Sequence, residues 1–265
     1  MHGRKVISMN MAGVKIINLR KQYSIGEQRI DALKNINLTI PKGSFTTIVG
    51  KSGCGKTTLL RLLCGLEQPT EGKLEFTYTN TDNGIRRKPV GIVFQESRLM
   101  PWLTVKENMA FPLFKKKNKK EANKIVEDCL QIMGLEKFKD AYPSQISGGM
   151  ARRTALGRVL CQNPDIILMD EPFGALDYFT RKNLQEEMVR LFLSQKKTII
   201  FVTHNVEEAV FLGEKIIVLN DGQVALEYDL SLPYPRRTTN IEFIRTKEVI
   251  FDAITGIQDK RIINF

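Results

Sequence analysis

Long hydrophobic runs are missing from this chain. No apolar stretch approaches the ~18 residues that a membrane-spanning helix needs, and the longest, IILM (166–169) and IIFV (199–202), are strand-sized. The chain is therefore expected not to cross a bilayer by itself. Cysteine is scarce too: Cys54, Cys64, Cys129 and Cys161 are scattered without metal-ligand spacing. They read as reduced cytosolic thiols in or near packed elements, not as a disulfide framework. The opening MHGRKVISMNMAG is basic but has no apolar core or small-residue cleavage site, so secretion is not expected. Histidine occurs only at positions 2 and 204.

What is present describes a folded protein with an excess of positive charge. The 265 residues are 42% hydrophobic and 26% charged, which fits one good core and a smaller lobe better than three domains or a disordered chain. The formal charge of +11 suits nucleic acid, an anionic membrane surface or an acidic partner. Its densest block, KKKNKK (115–120), has no interleaved aromatics and reads as a solvated loop or helix entry. Nothing resembles a zinc finger or an RNA-reading sheet, so no specific nucleic-acid partner is expected.

The hydrophobic pattern alternates between strand and helix periods. VKIINL, ALKNINLTI and SFTTIVG (44–50) read as strands, and LLRLLCG as a helix stopping at Gly65. LEFTY (74–78), an Asp82-Asn83-Gly84 corner and PVGIVF predict strands joined by a turn. Residues 120–133 place Ala122, Ile125, Val126, Cys129, Leu130 and Met133 on one helical stripe ending near Gly134. Three further apolar runs, NPDIILMDEP, KKTIIFVTH and EKIIVLNDG, flank a helix around 179–194 buried through Leu184, Met188, Leu191 and Phe192. The expected fold class is α/β, with a core over 14–97 and 159–222 and an all-helical insertion over 98–158. A short helical tail over 223–265 contains a helix near Ile241–Ile254.

The stretch Gly50-Lys51-Ser52-Gly53-Cys54-Gly55-Lys56-Thr57-Thr58 sits between a strand and a helix. Its glycines let backbone N–H groups turn inward around phosphate, and the helix N-terminus adds donors and dipole. Lys56 brings positive charge to the outer phosphates, and the Thr57 hydroxyl suits Mg²⁺. Asp170, at the end of the run Ile166–Asp170, can reach the same metal, and the adjacent Glu171 can polarise a water lined up on the γ-phosphate. A solvent-facing turn would also tolerate that acidic pair. His204 ends another strand, where a lone histidine is usually a polar cap; on the same sheet edge it can hydrogen-bond the γ-phosphate. Gln95, at the end of VGIVFQ, can touch both metal and water at the entry to the helical insertion. Ser147-Gly148-Gly149 precedes an amphipathic helix, ARRTALGRVL, and forms a second phosphate-friendly N-terminus. Two chains paired head to tail would give it work; alone it reads as a capped turn.

Taken together, these motifs resemble the ATP-binding cassette (ABC) ATPases from about Val14 to Gly222. GKSGCGKT resembles their Walker A, Gln95 their Q-loop, ISGGM (146–150) their signature, and ILMDE (167–171) their Walker B with catalytic glutamate. Gly174-Ala175-Leu176-Asp177 is similar to the D-loop, and His204 to the switch histidine. The resemblance implies a RecA-like P-loop core with an N-terminal antiparallel β portion and a helical subdomain. It implies ATP and Mg²⁺ as ligands, with Tyr23 stacking on adenine. Ser147 and Gly149 would then contact the γ-phosphate held by a second copy, and Asp177 would cross the interface. Catalysis would fall to Glu171, His204 and Gln95, and metal binding to Thr57, Gln95 and Asp170.

PWLTVKEN (101–108), MDEPFGALD (169–177) and LPYPRRTTNIEFI (232–244) resemble the importer branch for nitrate, sulfonates and taurine. That branch implies separate permease subunits docked at the helical lobe, an extracytoplasmic binding protein and a peripheral place on the cytoplasmic membrane face. Trp102 belongs either to the lobe core or to that docking surface. Two other readings stay open: a soluble ABC ATPase in a nucleic-acid or ribosome-associated machine, and a small-molecule kinase. The first commonly has fused cassettes or long insertions, and the second leaves Ser147–Gly149, Glu171 and Asp177 without work. The chain departs from the family pattern at Lys51, Ile146, Ala151-Arg152-Arg153 and Gly157. Gly157 stands where alanine is usual, and is expected to weaken its helix by about 0.5–1 kcal/mol if exposed and unpacked.

Overall fold

The computed structural model describes residues 12–76, 90–114, 118–174 and 176–256. Two sheets carry the chain. The first is antiparallel, in the order β2 (Gln28–Pro41), β1 (Ala12–Ile25), β4 (Glu71–Phe76). The second has six strands in the order β5 (Val90–Val93), β6 (Ile166–Asp170), β7 (Thr198–Thr203), β3 (Phe45–Val49), β8 (Lys215–Asn220), β9 (Gln223–Asp229). Its strands are parallel except for the β8–β9 hairpin.

Strands β3, β6 and β7 are buried at every position, as a parallel sheet covered on both faces requires. Successive residues face opposite cores. Ile166, Leu168, Ile200 and Val202 pack toward α1 (Lys56–Leu63) and the antiparallel sheet. Ile167, Met169, Ile199 and Phe201 pack toward the helical lobe and Phe192 of the long helix Tyr178–Gln195.

LEFTY and PVGIVF both contribute strands, as expected. Those segments form β4 and β5, which lie in different sheets, and β5 runs parallel to β6. The Asp82-Asn83-Gly84 corner lies outside the described residues. The expected C-terminal tail needs correction: residues 223–229 form β9, which completes the six-stranded sheet. Its alternation of exposed and half-buried residues hides an edge strand from a search for apolar runs.

Residues 98–158 carry no strand among the described residues. They form α2 (Val105–Ala110), α3 (Lys119–Met133) and most of α4 (Gly148–Gln162). Helix α3 begins on Asn118, ends on Gly134 in the left-handed conformation and buries Val126, Cys129, Leu130 and Met133. Helix α4 is not the simple amphipathic helix that the sequence predicts, because Thr154 through Gly157 are all buried. Gly157 is packed, not exposed: an added Cβ would meet Met109 Cε at 2.5 Å and Met133 Cγ at 3.3 Å. The glycine thus lets two methionines close on the helix. Trp102 is 72% exposed, so it is not lobe core.

After the helix α5 (Tyr178–Gln195) and β7 come α6 (Val206–Leu212) and, past β9, α7 (Ile241–Thr255). Phe243, Ile250 and Ile254 of α7 pack on Ala209, Val210, Ile216 and Val218. Cys54, Cys129 and Cys161 are buried and form no disulfide.

Candidate nucleotide site

In a parallel sheet of this kind ligands lie beyond the carboxyl ends of the strands. The ends of β3, β6 and β7 carry, in turn, Gly50, Asp170–Glu171 and His204. Glycine is needed at Gly50 because an added Cβ would lie 2.1 Å from Leu219 O of β8. Gly55 has φ 104°, and its Cβ would meet Ala32 O at 2.6 Å. Neighbouring backbone therefore sets both glycines. Gly53, at φ 80° with open space around it, is the one whose freedom shapes the loop tip.

Lys51, Ser52 and Gly53 are exposed, whereas Cys54 and Lys56 are buried. Gly222 N donates to Cys54 O at 3.2 Å, pinning the loop to the β8–β9 turn. Lys56 Nζ donates to Gly50 O at 2.8 Å and Lys51 O at 2.9 Å, so the ammonium sits inside the loop. Gly55 caps α1 without a side-chain hydrogen bond, leaving first-turn N–H groups for an anion. Thr58 follows on the same turn.

Thr57 Oγ1 donates to Asp170 Oδ1 at 3.3 Å, bringing two of the three expected metal residues together. Asp170 is only 6% exposed. Burial raises its pKa above the usual carboxylate range, Thr57 opposes that, Glu171 adds to it, and Lys56 and Arg61 counter it. The donor set, a hydroxyl and a carboxylate beside a phosphate-sized loop, fits Mg²⁺ held with phosphate oxygens.

Glu171 adopts φ 44°, rare for a residue with a side chain, and its N–H donates to Val202 O at 3.0 Å. That bend turns its carboxylate toward β7, where Oε2 lies 3.0 Å from His204 Nδ1. Gln95 follows β5 and is exposed; β5 pairs with β6 through Val93 and Met169, which sets Gln95 on the same sheet edge as Asp170.

Tyr23 lies on β1, where its O–H donates to Glu67 and Lys21 Nζ stands 5.0 Å from the ring centroid. Burial first, and Glu67 second, raise its pKa.

The second set lies elsewhere. Ser147 caps α4, its Oγ accepting from Met150 N at 3.2 Å, and is exposed with Gly148. An added Cβ on Gly149 would sit 3.1 Å from Leu176 Cδ2. Asp177 caps α5, accepting from Thr180 N at 3.0 Å, and those hydrogen bonds hold its carboxyl below the usual range. No hydrogen bond or ion pair joins Ser147, Gly148, Gly149 or Asp177 to Gly50–Thr58 among the described residues.

Two residues that sequence reasoning passed over tie these groups together. Glu208 of α6, 7% exposed, accepts from Thr203 Oγ1 at 2.7 Å, and burial raises its pKa. Arg181 Nη2 donates to Leu176 O at 3.0 Å, and its Nε lies 3.8 Å from Glu208 Oε1. The only sequence signal for them was an acid four residues past His204 and a base four past Asp177.

The ABC transporter family profile matches residues 33–174. An uncharacterised ABC transporter ATP-binding protein of Methanocaldococcus jannaschii is 43% identical over 245 residues, 91% of each chain. The aliphatic sulfonates import ATP-binding protein of Bacillus cereus is 40% identical over 232 residues, 87% of this chain and 91% of that one. The taurine import ATP-binding protein of Pelagibacter ubique is 40% identical over 246 residues, 88% and 91%. Among solved structures, a dimeric post-hydrolysis ATP-binding cassette bound to ADP and Pi superposes with TM-score 0.74 at 40% identity, over 83% of this chain and all of that one. The RecA-like P-loop core, helical subdomain and antiparallel β region are thus those of the ABC ATPase fold. This chain belongs to the ABC transporter family and is an ABC-type ATPase related to the ATP-binding subunits of sulfonate and taurine importers.

Proposed function

We propose that two copies of this chain close head to tail around two ATP molecules and drive uptake of a small solute through separate permease subunits. The observation that carries this reading is the division of the phosphate-binding groups. Thr57, Asp170, Glu171 and His204 converge at one sheet edge, while the exposed Ser147 and Gly148 stand elsewhere, at the N-terminus of α4. A second copy gives that N-terminus a phosphate to bind.

In each site Gly50–Thr58 surrounds the phosphates, with Lys56 near the outer ones and Tyr23 against the base. Mg²⁺ would be held by Thr57, Gln95 and Asp170, and it supplies neutralisation of phosphate charge. Glu171 accepts a proton from the water that attacks the γ-phosphate, and His204 orients the Glu171 carboxylate. Ser147, Gly148 and Gly149 of the facing copy stabilise the charge on the γ-phosphate, and Asp177 crosses the interface. Hydrolysis removes the groups that hold the copies together, and the dimer reopens.

No helix among the described residues is long and apolar enough to cross a membrane, so the pore belongs to other chains. The exposed Trp102, beside the segment after Gln95, lies on the helical lobe where a permease helix would dock. The chain then sits on the cytoplasmic membrane face, and an extracytoplasmic binding protein delivers the solute. The relatives' names, aliphatic sulfonates and taurine, direct the solute class to small sulfonates and similar anions. Purification from native membranes tests this: recovery of permease and binding-protein chains supports it, and recovery with ribosomes or nucleic acid alone overturns it.

A further inference from the structure

A second cavity, of about 800 Å³, opens between α5, α6 and residues 234–239, within the size range of small-molecule sites. Its apolar wall includes Val189, Leu193, Phe211 and Pro235. None of these residues has a part in binding or hydrolysing ATP.

Arg236 gives the cavity its chemistry. It is 5% exposed, and its guanidinium stands 4.3 Å from the Tyr234 ring centroid. Nε donates to Leu232 O at 2.9 Å, and Nη1 donates to Val210 O at 2.6 Å and Gly213 O at 2.7 Å. All these acceptors are neutral carbonyls. Nη2 makes no hydrogen bond within the protein, and no carboxylate lies within ion-pair distance among the described residues. A buried cation without a contacting anion is costly: burial lowers the Arg236 pKa, while Tyr234 nearby and Glu214 and Glu242 beyond ion-pair distance oppose that shift.

The acids that line the cleft are largely committed elsewhere. Glu208 is taken by Thr203 and Arg181, Glu207 by Lys247 at 2.8 Å, and Arg190 pairs with Glu187. Lys182 and Arg237, exposed on the rim, are in no ion pair among the described residues, against a single uncommitted acid, Glu186.

We infer that this cleft binds a small organic monoanion, a sulfonate or carboxylate on a short aliphatic chain, and that its occupancy alters ATP turnover. The head group neutralises Arg236 between Lys182 and Arg237, and the chain lies along Val189, Leu193 and Phe211. The link to turnover is direct. Arg181, on the cavity wall, holds Leu176 O beside Asp177, and Glu208 holds Thr203 beside His204.

The test is calorimetric titration of the full chain with hexanesulfonate, under saturating Mg-ADP so that the phosphate loop is filled, with ATP turnover measured separately. Saturable one-to-one binding is expected, at least tenfold weaker in Lys182→Gln/Arg237→Gln and in Leu193→Trp, which fills the cleft from an exposed position. Hexylammonium should not bind, and turnover should change at least twofold at saturation. Arg236→Gln should abolish binding; should it fail to fold, the rim variants decide. Absence of saturable binding at millimolar concentration, equal affinity in all variants, equal binding of hexylammonium, or binding with turnover unchanged would overturn the proposal.

Discussion

His204 Nδ1 lies 3.0 Å from Glu171 Oε2, across the ends of two neighbouring parallel strands. At that distance the proton must sit between them, since two bare lone pairs would repel. Nδ1–H therefore donates to the carboxylate, and Nε2 can donate to a phosphate oxygen only when it too carries a proton. Glu171→Gln should bind ATP yet turn it over about 10²–10⁴-fold more slowly, the usual loss on removing a general base. Adding His204→Ala to that variant should cost little more, because groups that act as a unit are not additive. Steady-state phosphate release from the single and double variants checks both; full turnover in Glu171→Gln removes the assigned base.

Asp170 links stability to pH. Burial raises its folded pKa above the unfolded value of about 3.9. Its favourable contribution is therefore complete below that value and is lost as pH rises through the folded pKa. At neutral pH the ionised, buried carboxylate destabilises the nucleotide-free protein. Asp170→Asn should thus melt at a higher temperature at pH 7 while losing Mg-dependent turnover, and the two melting curves should converge near pH 4. A lower midpoint for Asp170→Asn at pH 7 would reverse the sign.

Much of this was legible in the sequence, for identifiable reasons. Strands β3, β6 and β7 are continuous apolar runs because both faces are covered, and the motif residues stand at their ends, where a helix or turn signal follows. What escaped was set by tertiary contact. The exposed edge strand β9 has no apolar run, and β4 and β5 part into different sheets, which no local pattern records. Nothing in Glu207-Glu208 marks the second acid for burial; packing places it against Thr203.

The loop glycines should differ sharply. Gly50→Ala drives a methyl into the backbone of β8, 2.1 Å from Leu219 O, and should cost about 3 kcal/mol or more. Gly53→Ala meets open space and carries only the left-handed backbone penalty, about 1–2 kcal/mol. Urea denaturation of both variants measures the gap, and equal losses would contradict it.

Gly157 sets helix propensity against packing. Alanine would gain about 0.8–1 kcal/mol of helix preference but press on Met109, an overpacking cost of about 1–3 kcal/mol. The net effect of Gly157→Ala should be a loss of about 1 kcal/mol. In a Met109→Leu background, which removes the clashing Cε and Sδ, the same change should become neutral or stabilising. A double-mutant denaturation cycle reads this coupling, and strict additivity would refute it.

The head-to-tail dimer is the central claim, and sedimentation velocity of Glu171→Gln tests it most directly. The account predicts a monomer without nucleotide, a dimer with saturating Mg-ATP, and loss of that dimer when Ser147→Arg is added, with ATP still bound. An ATP-loaded chain that remains a monomer, or a dimer indifferent to Ser147, would contradict it.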